Sequence, residues 1–297
     1  YIAYNSGYVI KLQEAATSRL QVIHNCADPA ADAVDVYVDG TLTYDDLAFR
    51  AATAFADVAP GIHQIGIAPK TSASVNDTIK NYTIDFKNGK TYIAIAMGVI
   101  TPANFAVNPD AIAIDFMVNV KDTYRETANN AGNVDFVVAH GSTDAPTVDV
   151  WARNVSNSQS SNVSDANLSN SEGEFEADGS EWWGRRKVIN DLTYSEIYGY
   201  RKLRPMQFIL EVTPGNNGNV VVASFTANLT GLGGGAAVVF ASGFLNPAAN
   251  QNGAGFGLFA ALPNGTVVEF PAVLPTARLQ VIHNAADPLA SEVDIYV

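Results

Sequence analysis

The sequence predicts an all-β protein: two tandem immunoglobulin-like antiparallel β-sandwiches with partial repeats on either side. Three observations carry that expectation. Val34, Val36 and Val38 alternate with Asp35, Tyr37 and Asp39, the period-two pattern of a strand with one buried face. Val148/Val150 and Val293/Ile295/Val297 repeat it. Gly, Asn, Asp and Pro punctuate the chain about every 8–12 residues, the spacing of sandwich turns. Finally, the chain repeats itself. Residues 19–38, RLQVIHNCADPAADAVDVYV, and 278–297, RLQVIHNAADPLASEVDIYV, agree at 15 of 20 positions.

A looser copy, DFVVAHGSTDAPTVDVWA, occupies residues 135–152. Three positions recur: His24, His140 and His283; Asp28, Asp144 and Asp287; Asp35, Asp149 and Asp294. This structural motif fixes the expected boundaries. Residues 18–130 form a first sandwich and 131–272 a second. Residues 1–17, with Asn5-Ser6-Gly7 as a turn, have the form of a hairpin closing a preceding repeat. Residues 273–297 open a following one. The chain therefore reads as a window on a longer tandem array.

Within the first sandwich, YTIDF (82–86) alternates and TYIAIAMGVI (91–100) is a continuous apolar run, as expected for a central strand. DLAFRAATAFADVAPGIHQIGIAP (46–69) matches DLTYSEIYGYRKLRPMQFILEVTP (191–214) in rhythm. Asn264-Gly265 between two apolar runs signals a hairpin near the end of the second sandwich. A Ser/Asn-rich loop inserted over residues 154–186 distinguishes the second sandwich from the first. Trp182, Trp183, Arg185 and Arg186 at its end are candidates for contact with a neighbouring chain or a glycan.

Composition narrows the function classes. The chain has 297 residues, 47% hydrophobic and 16% charged, with a net charge of −13. That argues against nucleic acid, which needs a basic footprint, and against an anionic membrane surface. No apolar run reaches the ~18 residues of a membrane-spanning helix, and residues 1–17 show no signal-peptide pattern. Cys26 is alone, so no internal disulfide forms. Its counterpart in the last copy is Ala285, so Cys26 reads as a small buried filler rather than a catalytic thiol.

Other apparent sites give way to plainer readings. His140, Ser142 and Asp144 have a triad's composition, but they crowd one turn, whereas a triad gathers distant segments. Neither other copy has a serine there. The repeated His reads as a strand-end residue bonding a loop backbone, and the Asp four residues later as a turn cap. Four scattered His and one Cys make no zinc spacing. GLGGGA (231–236) leads into a strand, so it lacks the helix end that would bind phosphate. Asp28, Asp32, Asp35 and Asp39 could offer oxygens to calcium, yet alternation places Asp35 and Asp39 on the solvent face and Asp32 is Ser291 in the last copy. Neither metal nor cofactor is expected. Seven Asn-X-Ser/Thr sequons, at Asn76, Asn81, Asn154, Asn162, Asn167, Asn228 and Asn264, and an Asp77-Thr78-Ile79 acceptor-like motif mark places for glycans.

RLQVIHNCADPAADAVDVYVDG, followed by DDLAF and APGIHQIGIAP, resembles the bacterial cell-surface module called domain of unknown function 4397 (DUF4397). The resemblance covers both sandwiches and the final copy and is closer over 18–130. In 131–272, RPMQF replaces the Pro-Gly turn. It implies tandem modules in secreted, anchored or adhesin-like proteins, with no catalytic residues. The expected role is thus a structural repeat of an extracellular fibre, filament or adhesin whose partners are neighbouring copies. A glycan-binding surface module is the alternative, and an enzyme is the remote one.

Overall fold

The computed structural model describes residues 17–154 and 185–273, with residues 2–3, 9–10, 162–163, 175–176, 283–284 and 292. The strands in chain order begin with β1 (Ile2–Ala3) and β2 (Val9–Ile10). The next eight are β3 (Ser18–His24), β4 (Ala33–Val38), β5 (Thr41–Ala48), β6 (Ala56–Val58), β7 (Gly61–Pro69), β8 (Lys80–Phe86), β9 (Thr91–Met97) and β10 (Met117–Lys121). Then come β11 (Val134–His140), β12 (Val148–Asn154), β13 (Asn162–Val163), β14 (Phe175–Glu176), β15 (Arg185–Leu192), β16 (Ile197–Leu203), β17 (Gln207–Pro214), β18 (Ala223–Asn228), β19 (Ala236–Ser242), β20 (Gly257–Ala261) and β21 (Val267–Glu269). Among the described residues the helical turns are single 3-10 turns, such as Pro29–Ala31. The all-β expectation holds.

Four sheets make two sandwiches. The first has an inner sheet, β10-β9-β3-β6, and an outer sheet, β5-β4-β7-β8. The second has an inner sheet, β14-β16-β11-β19-β20-β21, and an outer sheet, β13-β15-β12-β17-β18. Most neighbours are antiparallel. The central pair of each inner sheet is parallel, β3 with β9 and β11 with β19, with His24 opposite Ala96 and His140 opposite Ala241; β14 also runs parallel to β16 at the edge of the second. The predicted hairpin forms between β20 and β21, and Gly265 supplies the left-handed turn residue at φ +87°. β1 and β2 pair antiparallel, Ile2 opposite Ile10.

The continuous apolar run of β9 now has a cause. Tyr92, Ala94 and Ala96 point into the first sandwich, beside Leu20, Phe86, Val34 and Val36. Ile93, Ile95 and Met97 point the other way, onto Val137, Ala139, Val238 and Phe240 of the second sandwich. Both faces are covered, so neither carries polar residues. The inner sheets thus pack face to face, and the molecule is four β layers deep. Each fully buried Ile or Phe in that seam stabilises the pair by roughly 1.5–3 kcal/mol. A second seam adds Ala27, Val99, Phe105 and Ile114 against Tyr194 and Phe244.

Polar side chains fix the register of the two sandwiches. The Gln21 amide donates to Thr53 O at 2.9 Å and Leu262 O at 2.8 Å. Asn25 Nδ2 donates to Ala241 O at 3.0 Å. Arg50 donates to Ser242 Oγ at 3.1 Å and Gly255 O at 2.6 Å, with its guanidinium 4.2 Å from the Phe259 ring centroid. Asn119 Nδ2 donates to Ser195 O and Lys121 Nζ to Ile197 O.

Candidate functional site

The repeated motif sits at equivalent ends of the two inner sheets. His24 closes β3 and His140 closes β11, both almost fully buried. Each ring turns into the loop that follows it. His24 Nε2 lies 2.7 Å from Ala31 O, and His140 Nε2 lies 3.1 Å from Pro146 O. Burial lowers the His24 pKa to about 4 and lowers that of His140 as well, so both rings are neutral and donate through Nε2 near neutral pH.

Four residues on, each Asp ties two loops together. The Asp28 carboxylate accepts from Ala30 N at 2.9 Å, capping the 3-10 turn, and from Ile100 N at 2.8 Å. Asp144 accepts from Leu245 N at 2.8 Å, Asn246 N at 2.9 Å and Asn250 Nδ2 at 2.9 Å. Ile100 and Leu245 each lie two residues beyond a left-handed glycine, Gly98 (φ +90°) and Gly243 (φ +84°). The Asp therefore joins the first loop of its sandwich to the loop leaving the parallel partner strand.

The third repeated residue departs from expectation. Alternation places Asp35 on the outer face of its sheet, but that face is not solvent: Asp35 and Asp149 are each 1% exposed. A register shift in the neighbouring strand brings a backbone N–H over each carboxylate. Asp46, at φ +53°, donates to Asp35 Oδ1 at 3.0 Å, and Asp191, at φ +51°, donates to Asp149 Oδ1 at 2.9 Å. Ser72 Oγ completes the first site and Lys187 Nζ the second. Buried carboxylates persist because these bonds replace water.

The chemical candidates resolve as follows. Ser142 Oγ donates to Gly243 O at 2.7 Å and lies 3.3 Å from Asp144 Oδ1, while His140 Nε2 is engaged by Pro146 O, so the serine is held by its loop and no hydrogen bond joins it to the histidine. Cys26 is fully buried, and burial pushes its thiol up to about 12, so it remains protonated. The four carboxylates weighed for calcium do not converge. Asp28 holds backbone, Asp32 pairs with Lys70, and Asp39 pairs with His63. Among the described residues the carboxylates that do converge are Asp35, Asp45 and Asp46, within 4.8 Å of one another. The Asp45 pKa is raised, first by desolvation and then by the Asp46 and Asp35 charges. GLGGGA runs into β19 as expected, with Gly234 N bonded to Asn133 O.

Of the interface candidates, Arg185 is not on offer. It is buried, pairs with Glu211 at 2.6 Å, donates to Gly218 O and stacks 4.2 Å over Trp151. It reads as a cation at the end of a loop in sequence, but the chain has already entered β15 there. Arg186 is half-buried. Trp182, Trp183, Asp287 and Asp294 lie outside the described residues. His283 is exposed, unlike its two counterparts. Sequence reasoning passed over Gln21, Asn25 and Arg50, the residues that join the sandwiches. Gln21 and Asn25 offered a faint signal: both recur in the 278–297 copy, as Gln280 and Asn284, within an otherwise apolar strand end.

Residues 18–151 match the family model described as domain of unknown function (DUF4397). The resemblance read from the motifs thus holds across the first sandwich and into β12. No curated protein matches the chain. Among solved structures, an alpha-glucan-binding streptococcal virulence factor shares 11% identity, covering 75% of this chain and 92% of its own, with a TM-score of 0.23. A family 26 carbohydrate-binding module from Eubacterium rectale, in complex with maltoheptaose, shares 9% identity, covering 76% and 92%, with a TM-score of 0.20. A Bacteroides ovatus protein described as a candidate for cell adhesion shares 11%, covering 89% and 100%, with a TM-score of 0.19.

Proposed function

With a DUF4397 match over the first sandwich as premise, we propose that this chain is a structural repeat of an extracellular fibre or adhesin on a bacterial cell surface. The repeating unit is the fused pair of sandwiches rather than the single sandwich. The observation that carries this reading is the near-copy at 278–297 following a complete pair: 15 of 20 positions return, including the Gln and Asn that in the first copy bond across the seam. A next pair would begin there. Partners are then neighbouring copies. Among the described residues no helix is long and apolar enough to cross a membrane.

Denaturing electrophoresis of the native material tests the array. A covalent species many times 31.5 kDa, filamentous by electron microscopy, is the expected result; a clean species near that mass would sink the covalent array. The inserted loop has its own test. Deleting residues 155–181 and changing Trp182 and Trp183 to Ala should impair assembly or adhesion with the fold intact. Glycan binding is the competing reading, motivated by that Trp pair. If retardation in gels containing starch is lost with the Trp changes while filaments persist, the glycan reading replaces the structural one for the loop.

A further inference from the structure

The two sandwiches differ in one respect that their shared motifs do not foretell. The first is filled: the gap between its sheets is about 30 Å³. The second encloses a cavity of about 680 Å³ between its inner and outer sheets, within the ~300–1,000 Å³ range of small-ligand sites. The cause is visible in the residues. Aligned on the paired strands, Tyr44, Ile84, Phe86 and Val120 of the first sandwich are met by Ile189, Ala227, Leu229 and Ala260 in the second. Phe136 for Leu20 and Val239 for Ala94 return only part of that volume.

We propose that the interior of the second sandwich binds an uncharged aliphatic chain, as carried by a long-chain alcohol or a neutral lipid. The wall is dominated by Val, Leu, Ile and Ala from both sheets. The space between two packed sheets is a slab, which suits a flexible chain better than a bulky ring. Left empty, so large an apolar void forfeits contacts along its whole wall. That loss grows with cavity volume until it rivals a domain's entire stability. Water does not compensate it, because an apolar cavity stays dry.

The charge of the ligand follows from the wall. Among the lining residues the charged side chain is Glu126, and its carboxylate is bound to Arg19 at 2.7 Å. No lysine or arginine lines the space, so a carboxylate or phosphate group inside it would meet no counter-ion. Besides Glu126, the polar side chains that line it are Thr127, Asn228, Asn264 and the buried His140. Its Nε2 donates to Pro146 O, which leaves Nδ1 as an unprotonated acceptor without a hydrogen-bond partner. An acceptor of that kind suits a hydroxyl. The exposed parts of the wall are apolar too: Val222, Leu232, Leu245 and Val268 line the cavity and are each between 44% and 55% exposed.

The test uses the full chain, stripped of lipid by organic extraction and refolded. Native mass spectrometry should show a one-to-one adduct with hexadecan-1-ol, and the alcohol should raise Tm. Hexadecanoate should bind at least about tenfold more weakly, because its charge is desolvated without a partner. Mass spectrometry of the extract distinguishes a free alcohol from a neutral glyceride as the natural source. Ile189→Tyr, Ala227→Ile and Ala260→Val, which install the first sandwich's residues, should abolish the adduct without lowering Tm. If the triple variant fails to fold, Ala227→Ile alone should weaken binding several-fold. No adduct and no Tm shift with the folded wild type overturns the proposal. Equal or tighter binding of hexadecanoate overturns the assignment of an uncharged ligand.

Discussion

Asp28 and Asp144 show what a single repeated carboxylate does in this fold. Each accepts backbone N–H groups from two loops that are far apart in sequence. Asp28→Ala leaves Ala30 N and Ile100 N without their acceptor, and Asp28 is only 3% exposed. We expect it to cost about 1.5–3 kcal/mol, the range for hydrogen bonds to a charged group, read as a lower urea midpoint with unchanged slope. Asp144→Ala should cost less, since Leu245 and Asn246 can turn to water. The histidines predict a pH dependence. The folded pKa of His24, about 4, lies below its unfolded value of 6.5. The unfolded chain therefore binds the proton first. The contribution is fully present above about pH 6.5 and is lost as pH falls toward 4, on the order of 3 kcal/mol over that window. Urea titrations at pH 7.5 and 4.5 measure it, and His24→Gln should flatten the difference. At this scale the sequence was informative because the motif recurs: His and Asp are picked out by repetition. The burial of Asp35 was hidden, since alternation assigns a face and says nothing of what covers it. The cover comes from Asp46, in a left-handed conformation that periodicity does not encode.

At the scale of elements, β9 and β19 illustrate what strand patterns carry. The unbroken apolar run of β9 correctly announced a central strand. Strand direction is not written in side-chain periodicity, so the parallel pairing of β3 with β9 and of β11 with β19 was invisible. Each of β9 and β19 ends on a left-handed glycine pressed against the segment that returns to the sheet. A Cβ on Gly98 would stand 2.7 Å from the Asp115 carbonyl carbon, and one on Gly243 2.7 Å from Ala254 O. Gly98→Ala and Gly243→Ala should each destabilise by roughly 1–3 kcal/mol from backbone strain alone, and by more where the clash forces the neighbouring strand apart. Thermal unfolding of the two variants compares them directly. Gly40→Ala, with nothing within 4 Å of its Cβ, isolates the conformational part.

For the whole molecule, the seam between the inner sheets is the feature that no local pattern disclosed. Sequence reading separates two sandwiches but does not say whether they touch. Ile23, Ile93, Ile95 and Met97 belong to the first sandwich by chain and to the seam by contact. Residues 18–130 alone should therefore expose a contiguous apolar sheet face. We expect that fragment to bind a hydrophobic dye and to self-associate in gel filtration, while the pair does neither. Arg50→Ala removes donors to Ser242 and Gly255 across the seam. It should weaken the association of separately produced halves while leaving each half's own fold unchanged, a difference that titration calorimetry can read.

The same seam sets a timetable for synthesis. The bond from Asn25 to Ala241 spans 216 residues, and that from Gln21 to Leu262 spans 241. At ~5–20 residues per second, the partner of Gln21 leaves the ribosome roughly 12–50 s after Gln21 itself. The last strand of the first sandwich ends at Lys121, so while the chain grows from there to Leu262, roughly 7–28 s, that sandwich carries a bare apolar face although everything its own interior needs has already been made. Other nascent chains on the same message carry the same face. Delay is thus a hazard intrinsic to the fused pair, and a holding factor that shields β9 until β19 emerges should raise the yield of folded protein.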